Sequence, residues 1–273
     1  MSTAPATTVV ALKRTAGAER TLVCLGFCGG GTAAYHEWAA AMPAGTDLLA
    51  VCYPGREGRF AEEYADTWDA LAQDATAAVR AATSSGGPYV LFGHSMGGWM
   101  AFDVTTRLAA AGDPLPDTLV VSSCNAPDRG LTARDRFPAR GDADGELLTW
   151  MSVHGLLPAH VLDDEDLTEM AVELMRADIR VRDTFTYTGA RITVPLQVLS
   201  GAEDAVVGDD AGDRWGGLTT AAHRHDVLPG GHFYTPGVWR TLPDRIPALT
   251  AADGQPTAPA TGCTGQGTGG LSG

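Results

Sequence analysis

The sequence predicts an α/β fold with a mostly parallel central sheet. Three features carry that expectation: five short runs are apolar almost without interruption, helical segments fall between them, and one long interval contains no strand-like run. A strand that faces water on one side alternates apolar and polar residues, whereas a continuous apolar run is what a sheet covered by helices on both faces requires. Strand–helix–strand alternation then implies a doubly wound sheet.

Taken in order, Thr21–Gly26, Asp47–Tyr53, Tyr89–Gly93, Thr118–Ser123 and Pro195–Gly201 read as buried strands, with Arg224–Leu228 as a shorter sixth. Thr67–Ala82 reads as a helix, because Trp68, Leu71, Ala72, Ala75 and Val79 fall at helical spacing and Asp66 stands before it as an N-cap candidate. Met96–Ala111 follows the third strand directly. The interval 127–187 holds two more helical candidates, Glu146–His154 and Asp164–Asp183, the second carrying Leu167, Met170, Leu174 and Met175. An insertion at the C-terminal edge of a parallel sheet lies where such folds bind ligands. It reads as a helical lid, the alternative being a subdomain with no gating role. Residues 1–250 are thus expected to form one α/β domain with an insertion at about 127–187. The Gly-, Thr-, Pro- and Ala-rich tail, 251–273, buries too little to offset its ordering entropy and is expected to be disordered.

The 273 residues are 44% hydrophobic, enough for the core of one domain with an embellishment. A net charge of −14 argues against a nucleic-acid binder, which needs clustered Lys and Arg; Lys13 is the only lysine. Five cysteines (Cys24, Cys28, Cys52, Cys124 and Cys263) show no CxxC spacing, which reads as free thiols in a reducing compartment. Cys28 stands out by lying in a glycine-rich loop. The N-terminus lacks the apolar core of a signal peptide, and no apolar run approaches the roughly 20 residues that span a bilayer, so a cytoplasmic location is expected.

The strongest chemical signal is Gly93-His94-Ser95-Met96-Gly97-Gly98, which ends one apolar strand and opens a helix. In that setting G-x-S-x-G is the nucleophile elbow of the α/β-hydrolase fold. The glycines let strand and helix approach closely, the turn lifts the Ser95 hydroxyl from the sheet edge, and the Met96 N–H becomes available to an oxyanion. A serine needs a base and the base an orienting acid, in the chain order Ser, Asp or Glu, His. His232, in a loop behind two glycines after the last strand, is the expected base, with His225 second. Asp204, just after the fifth strand, is the expected acid, with Glu203, Asp209 and Asp210 as neighbours. A second oxyanion donor should come from the loop after the first strand, Phe27-Cys28-Gly29-Gly30-Gly31-Thr32.

Several further segments resemble the type II thioesterases of polyketide and nonribosomal peptide assembly lines. The resemblance covers roughly Thr21 to Asp244. Beside the Ser95 elbow it rests on the glycine loop followed by Tyr35 and Trp38, on Tyr53-Pro54-Gly55-Arg56-Glu57-Gly58-Arg59, on Arg176-Ala177-Asp178, on Gly201–Val207, and on Gly230-Gly231-His232-Phe233-Tyr234. It implies an α/β-hydrolase with a helical lid that hydrolyses acyl groups from the phosphopantetheine arm of a carrier protein. It implies Gly29 and Met96 as oxyanion donors and substrate contacts from Phe27, Cys28, Gly30 and Tyr35. No metal or organic cofactor is implied, since the pantetheine belongs to the partner, and a monomer is expected. Family members usually have a Pro-x-Ala-Gly-Gly loop; placing its Pro and Ala at Phe27 and Gly29 marks a departure that would leave the donor mobile, and alanine at Gly29 would then raise hydrolysis. Carriers of this kind are acidic, so Arg176, Arg180 and Arg182, spaced along one helical segment, are candidate docking residues, with a plain solvated face as the other reading. Competing activities are a carboxylesterase on free small esters, an acyltransferase or cyclase on the same serine, and a non-catalytic scaffold.

Overall fold

In the computed structural model, which describes residues 8–250 apart from 137 and 158, seven strands form one sheet in the order β1-β3-β2-β4-β5-β6-β7. They are β1 (Val9–Lys13), β2 (Arg20–Leu25), β3 (Thr46–Val51), β4 (Tyr89–His94), β5 (Thr118–Ser122), β6 (Leu196–Gly201) and β7 (His223–Leu228). β1 runs antiparallel to β3 at one edge and every other pairing is parallel. The expected tail lies outside the described residues.

The apolar runs become strands buried on both faces because successive side chains alternate across the sheet. In β2, Val23 and Leu25 join the core on one side while Leu22 and Cys24 join the core on the other. β4 does the same with Leu91 on the first side and Val90 and Phe92 on the second. β1 was not among the expected strands. All five of its residues stay partly exposed, and its place is set by pairing with β3 rather than by an apolar signature.

The helices are α1 (Trp68–Ala82), α2 (Met96–Ala111), α3 (Asp144–Val153), α4 (Ala159–Leu162), α5 (Glu165–Arg182), α6 (Ala211–Gly216) and α7 (Pro236–Arg240). The insertion supplies α3, α4 and α5. It is not a separate body: Leu147 and Met151 of α3 and Met175 and Ile179 of α5 are buried in the same core as α1 and α2. α5 is so packed from Val172 onward. Leu167 and Met170 in its first half are 36% and 40% exposed. Asp164 and Asp183, expected inside this helix, stand instead as its caps.

Because β2, β4, β6 and β7 are parallel, their C-terminal ends share one edge. Leu25 pairs with Gly93, His94 with Ser122, and Gly201 with Leu228. The loops that follow therefore converge.

One boundary differs from expectation. The N-cap of α1 is Thr67, whose hydroxyl accepts the Ala70 N–H at 3.3 Å, and not Asp66. Thr67→Ala should therefore lower stability by about 1 kcal/mol and Asp66→Ala by less than half that, read from urea denaturation midpoints at constant slope.

Candidate active site

Ser95 sits between β4 and α2 with φ +54° and ψ −125°, a backbone conformation that side-chain-bearing residues rarely adopt. The surrounding glycines make it possible. A Cβ on Gly93 would lie 1.8 Å from the Gly97 carbonyl oxygen, one on Gly97 2.6 Å from that of Gly26, and one on Gly98 2.4 Å from Cys124 Sγ. Strand and helix thus meet at a distance that only glycine permits. The Ser95 N–H donates to the Ser122 carbonyl at 2.7 Å, tying the elbow to β5.

From the end of β7, the loop brings His232 over the sheet edge, with its Nε2 3.0 Å from Ser95 Oγ. Its Nδ1 lies 2.9 Å from Asp204 Oδ2, in the loop after β6. Asp204 Oδ1 accepts the Val206 N–H at 2.9 Å, and its side chain is only 1% exposed. Burial pushes this carboxyl up, but the hydrogen bond and charge of His232 and the N–H groups of Val206 and Val207 outweigh it and hold the group below the usual carboxylate range. The alternatives point elsewhere: Glu203, Asp209 and Asp210 are exposed, and His225 bonds Ser200 Oγ at 2.7 Å. Ser122 belongs to a different network, with its hydroxyl 2.9 Å from His94 Nδ1 and 2.6 Å from the Tyr234 hydroxyl.

The loop after β2 corrects the sequence reading. Gly29 cannot serve as an oxyanion donor, because its N–H is already given to Asp178 Oδ2 at 2.8 Å. Asp178, on α5, also takes a two-pronged ion pair from Arg56, with Nη2 to Oδ1 at 2.6 Å and Nη1 to Oδ2 at 2.9 Å. Arg56 Nη1 further donates to the Gly30 carbonyl at 2.8 Å. Gly29 is therefore clamped, not mobile. With φ +70° and Met175 Cε 2.7 Å from where its Cβ would lie, alanine there would strain the loop, so the expected gain in hydrolysis is withdrawn. The Cys28 and Met96 N–H groups, by contrast, have no hydrogen-bond acceptor among the described residues. Shifting the motif by one residue places Gly26-Phe27-Cys28-Gly29-Gly30 on Pro-x-Ala-Gly-Gly, with Cys28 at the alanine.

Phe27 and Cys28 line a cavity of about 20 Å³ beside Ser95 and His232, together with Trp99, Trp150 and Phe233. The other two expected substrate contacts do not line it. Gly30 lies against the Phe27 ring and holds Arg56, and Tyr35 is 1% exposed on the far core, its hydroxyl bonded to the Leu25 carbonyl at 2.7 Å. Burial pushes the Cys28 thiol up to about 12, so at neutral pH it is a neutral, unreactive group. The three docking arginines separate as well. Arg180 is exposed, Arg176 binds Asp144, and Arg182 is 2% exposed and lines the cavity. Residues 180 and 182 differ by about 200° around a helix, so they cannot share a face.

A strained serine, a histidine and a carboxylate in one relay at the C-terminal edge of a parallel sheet are the marks of the α/β-hydrolase class. Within that class the chain belongs to the thioesterase domain family, whose model matches residues 20–244. It is 33% identical over 214 residues to a probable cadicidin biosynthesis thioesterase of Streptomyces griseus, covering 78% of this chain and 57% of that one. It is 32% identical over 212 residues to the AMB antimetabolite synthetase AmbE of Pseudomonas aeruginosa, covering 77% of this chain and 10% of that one. The chain thus spans little more than half of one of these curated relatives and a tenth of the other. Among solved structures, the type II thioesterase BorB from the borrelidin biosynthetic cluster matches with a TM-score of 0.74 and 32% identity, covering 91% of this chain and 97% of that one. Within the thioesterase family the chain is thus similar to a type II thioesterase along nearly its whole length.

Two outcomes follow from this geometry. Asp178→Asn leaves the buried Arg56 cation unpaired and should cost about 3–5 kcal/mol in urea denaturation, whereas Arg80→Ala, which breaks an exposed pair with Asp113, should cost less than about 1 kcal/mol. Burial holds His94 well below its ordinary value of 6.5, with His232 and His154 adding to the effect. The unfolded chain then binds the proton more readily than the folded one, so stability is full above about 6.5 and declines as pH falls below it. Urea midpoints at pH 7.5 and 5.5 should differ accordingly, and the difference should shrink in His94→Asn.

Proposed function

We propose that this chain is an editing thioesterase that hydrolyses acyl groups from the phosphopantetheine arm of carrier proteins in polyketide or nonribosomal peptide assembly. The observation that carries this reading is the relay from Asp204 through His232 to Ser95, with steps of 2.9 Å and 3.0 Å, in a chain of the thioesterase family. His232 Nε2 takes the Ser95 proton as Oγ attacks the thioester carbonyl carbon. The resulting oxyanion is met by the Cys28 and Met96 N–H groups, the pair without acceptors of their own. Collapse breaks the carbon–sulfur bond, and the proton on His232 passes to the departing pantetheine sulfur. Water, deprotonated by the same nitrogen, then attacks the acyl-serine; the proton returns to Ser95 Oγ, and the free acid leaves. Asp204 fixes the imidazole tautomer and balances its charge in the transition state.

The cavity of about 20 Å³ beside Ser95 is narrow, and we read movement of the insertion at its rim as what admits an acyl chain. α3 is the element to move, since its Trp150 lines the cavity and the ring of His154, which caps its C-terminus, lies 5.6 Å from that of Phe233. On this reading the insertion is a lid. No described helix is long and apolar enough to cross a membrane, and the four described cysteines are free, which supports a cytoplasmic site of action beside the carriers.

Incubation with a set of acyl-carrier proteins, followed by intact mass, tests the reading. The wild type should strip acyl groups from the carriers, and Ser95→Ala should be slower by about a thousandfold or more. Preference for the p-nitrophenyl ester of the same acid would instead indicate a carboxylesterase, and cyclised or transferred product a cyclase or transferase.

A further inference from the structure

The cavity beside Ser95 contains two polar groups that the proposed hydrolysis leaves unused. Arg182 is 2% exposed; its Nε and Nη2 donate to Asp183 Oδ1 at 3.1 and 2.9 Å, and Nη2 also donates to the Arg136 carbonyl at 3.0 Å. The remaining nitrogen, Nη1, has no acceptor among the described residues. Ser123, 1% exposed and held at φ +49°, lines the same cavity; its hydroxyl lies beside the Tyr234 hydroxyl but makes no well-aligned hydrogen bond among the described residues.

A buried hydroxyl left without a well-aligned hydrogen bond is costly unless a ligand or water completes it, and Arg182 adds a cationic donor to the same cavity wall. The third polar wall residue, Asp135, is not available: Oδ1 accepts from Asn125 Nδ2 at 2.7 Å, and Oδ2 accepts the Thr132 N–H at 2.7 Å and its hydroxyl at 2.6 Å. The free functions are thus one cationic donor and one hydroxyl that can both give and accept a hydrogen bond.

We propose that Arg182 and Ser123 form an acyl-recognition subsite that takes a neutral oxygen close to the thioester carbonyl, so that the preferred substrates are hydroxy- or oxoacyl groups and not plain alkanoyl ones. The proposal rests on the thioesterase reading and names the substrate class within it. Local charge decides between a neutral oxygen and a carboxylate. Asp178 is matched by Arg56 and Asp183 by Arg182, which leaves Asp135 on the cavity wall and Asp204 behind His232. A carboxylate-bearing acyl group would enter a site with surplus negative charge, whereas a hydroxyl accepts from Arg182 Nη1 and donates to Ser123 Oγ without adding charge. Arg182 and Ser123 line the same cavity as Ser95, which sets the recognised oxygen close to the thioester carbonyl.

The test uses the full chain and one carrier protein loaded with butyryl, 3-hydroxybutyryl, acetoacetyl or malonyl groups, with kcat/KM read by intact mass. In the wild type, 3-hydroxybutyryl and acetoacetyl should exceed butyryl by about tenfold or more, and malonyl should fall below both. In Arg182→Met and in Ser123→Ala the ratio of 3-hydroxybutyryl to butyryl should collapse towards one, with thermal unfolding reporting whether each variant is folded. Equal rates on butyryl and 3-hydroxybutyryl by the wild type would overturn the subsite, leaving only water against these groups. So would a malonyl preference, or a folded Arg182→Met that keeps the wild-type ratio. Failure of the wild type to hydrolyse any of the four would instead sink the thioesterase reading on which the proposal stands.

Discussion

The buried ion pair between Arg56 and Asp178 is the contact on which the site depends. Its side chains are 5% and 3% exposed, and it joins three segments remote in sequence: the loop after β3, the loop after β2 and helix α5. Burial pulls the guanidinium down, while the charge and hydrogen bonds of Asp178 overcome this and hold it above its ordinary value. A buried pair of this kind repays its desolvation only when the remaining polar positions are filled. Here the backbone of the glycine loop fills most of them, through the Gly29 N–H and the Gly30 carbonyl, and Arg56 Nε is the one guanidinium nitrogen with no partner among the described residues. The clamp therefore fixes which loop N–H faces the cavity, and it does so with a side chain from the inserted helices.

This places substrate access and catalytic geometry in one physical unit. The second half of α5 is sealed into the core and carries both Asp178, which holds the glycine loop, and Arg182, which lines the cavity. α3 packs less completely: Leu147 and Met151 are buried, whereas Val153 is 77% exposed. The insertion is thus packed most fully through the second half of α5 and less so at the C-terminal end of α3. Elsewhere the same economy holds at the elbow, where glycines at 93, 97 and 98 let β4 and α2 meet and leave Ser95 in a strained conformation beside His232.

Much of the architecture was legible because burial on both sheet faces writes itself as continuous apolar runs. β2 through β6 were read that way, and β7 from a shorter one. β1 was not, because an edge strand with every residue partly exposed carries no such signature. Ser95, Asp204 and His232 could be named from chain order and from their positions after strands, since parallel strands must deliver their following loops to one edge. Gly29 and Tyr35 were misplaced for a different reason. Which amide of a glycine loop faces a cavity depends on what clamps it, and here the clamp comes from residue 178, some 149 positions away.

What the sequence alone determined was the order of elements and the three side chains of the relay, because local periodicity, glycine placement and topology suffice for both. What only the tertiary structure decided was which loop amides are left without an acceptor among the described residues, and that Arg182 and Ser123 line the cavity beside Ser95. Those depend on which long-range partners use up each polar group, and partnering of that kind leaves no local pattern along the chain.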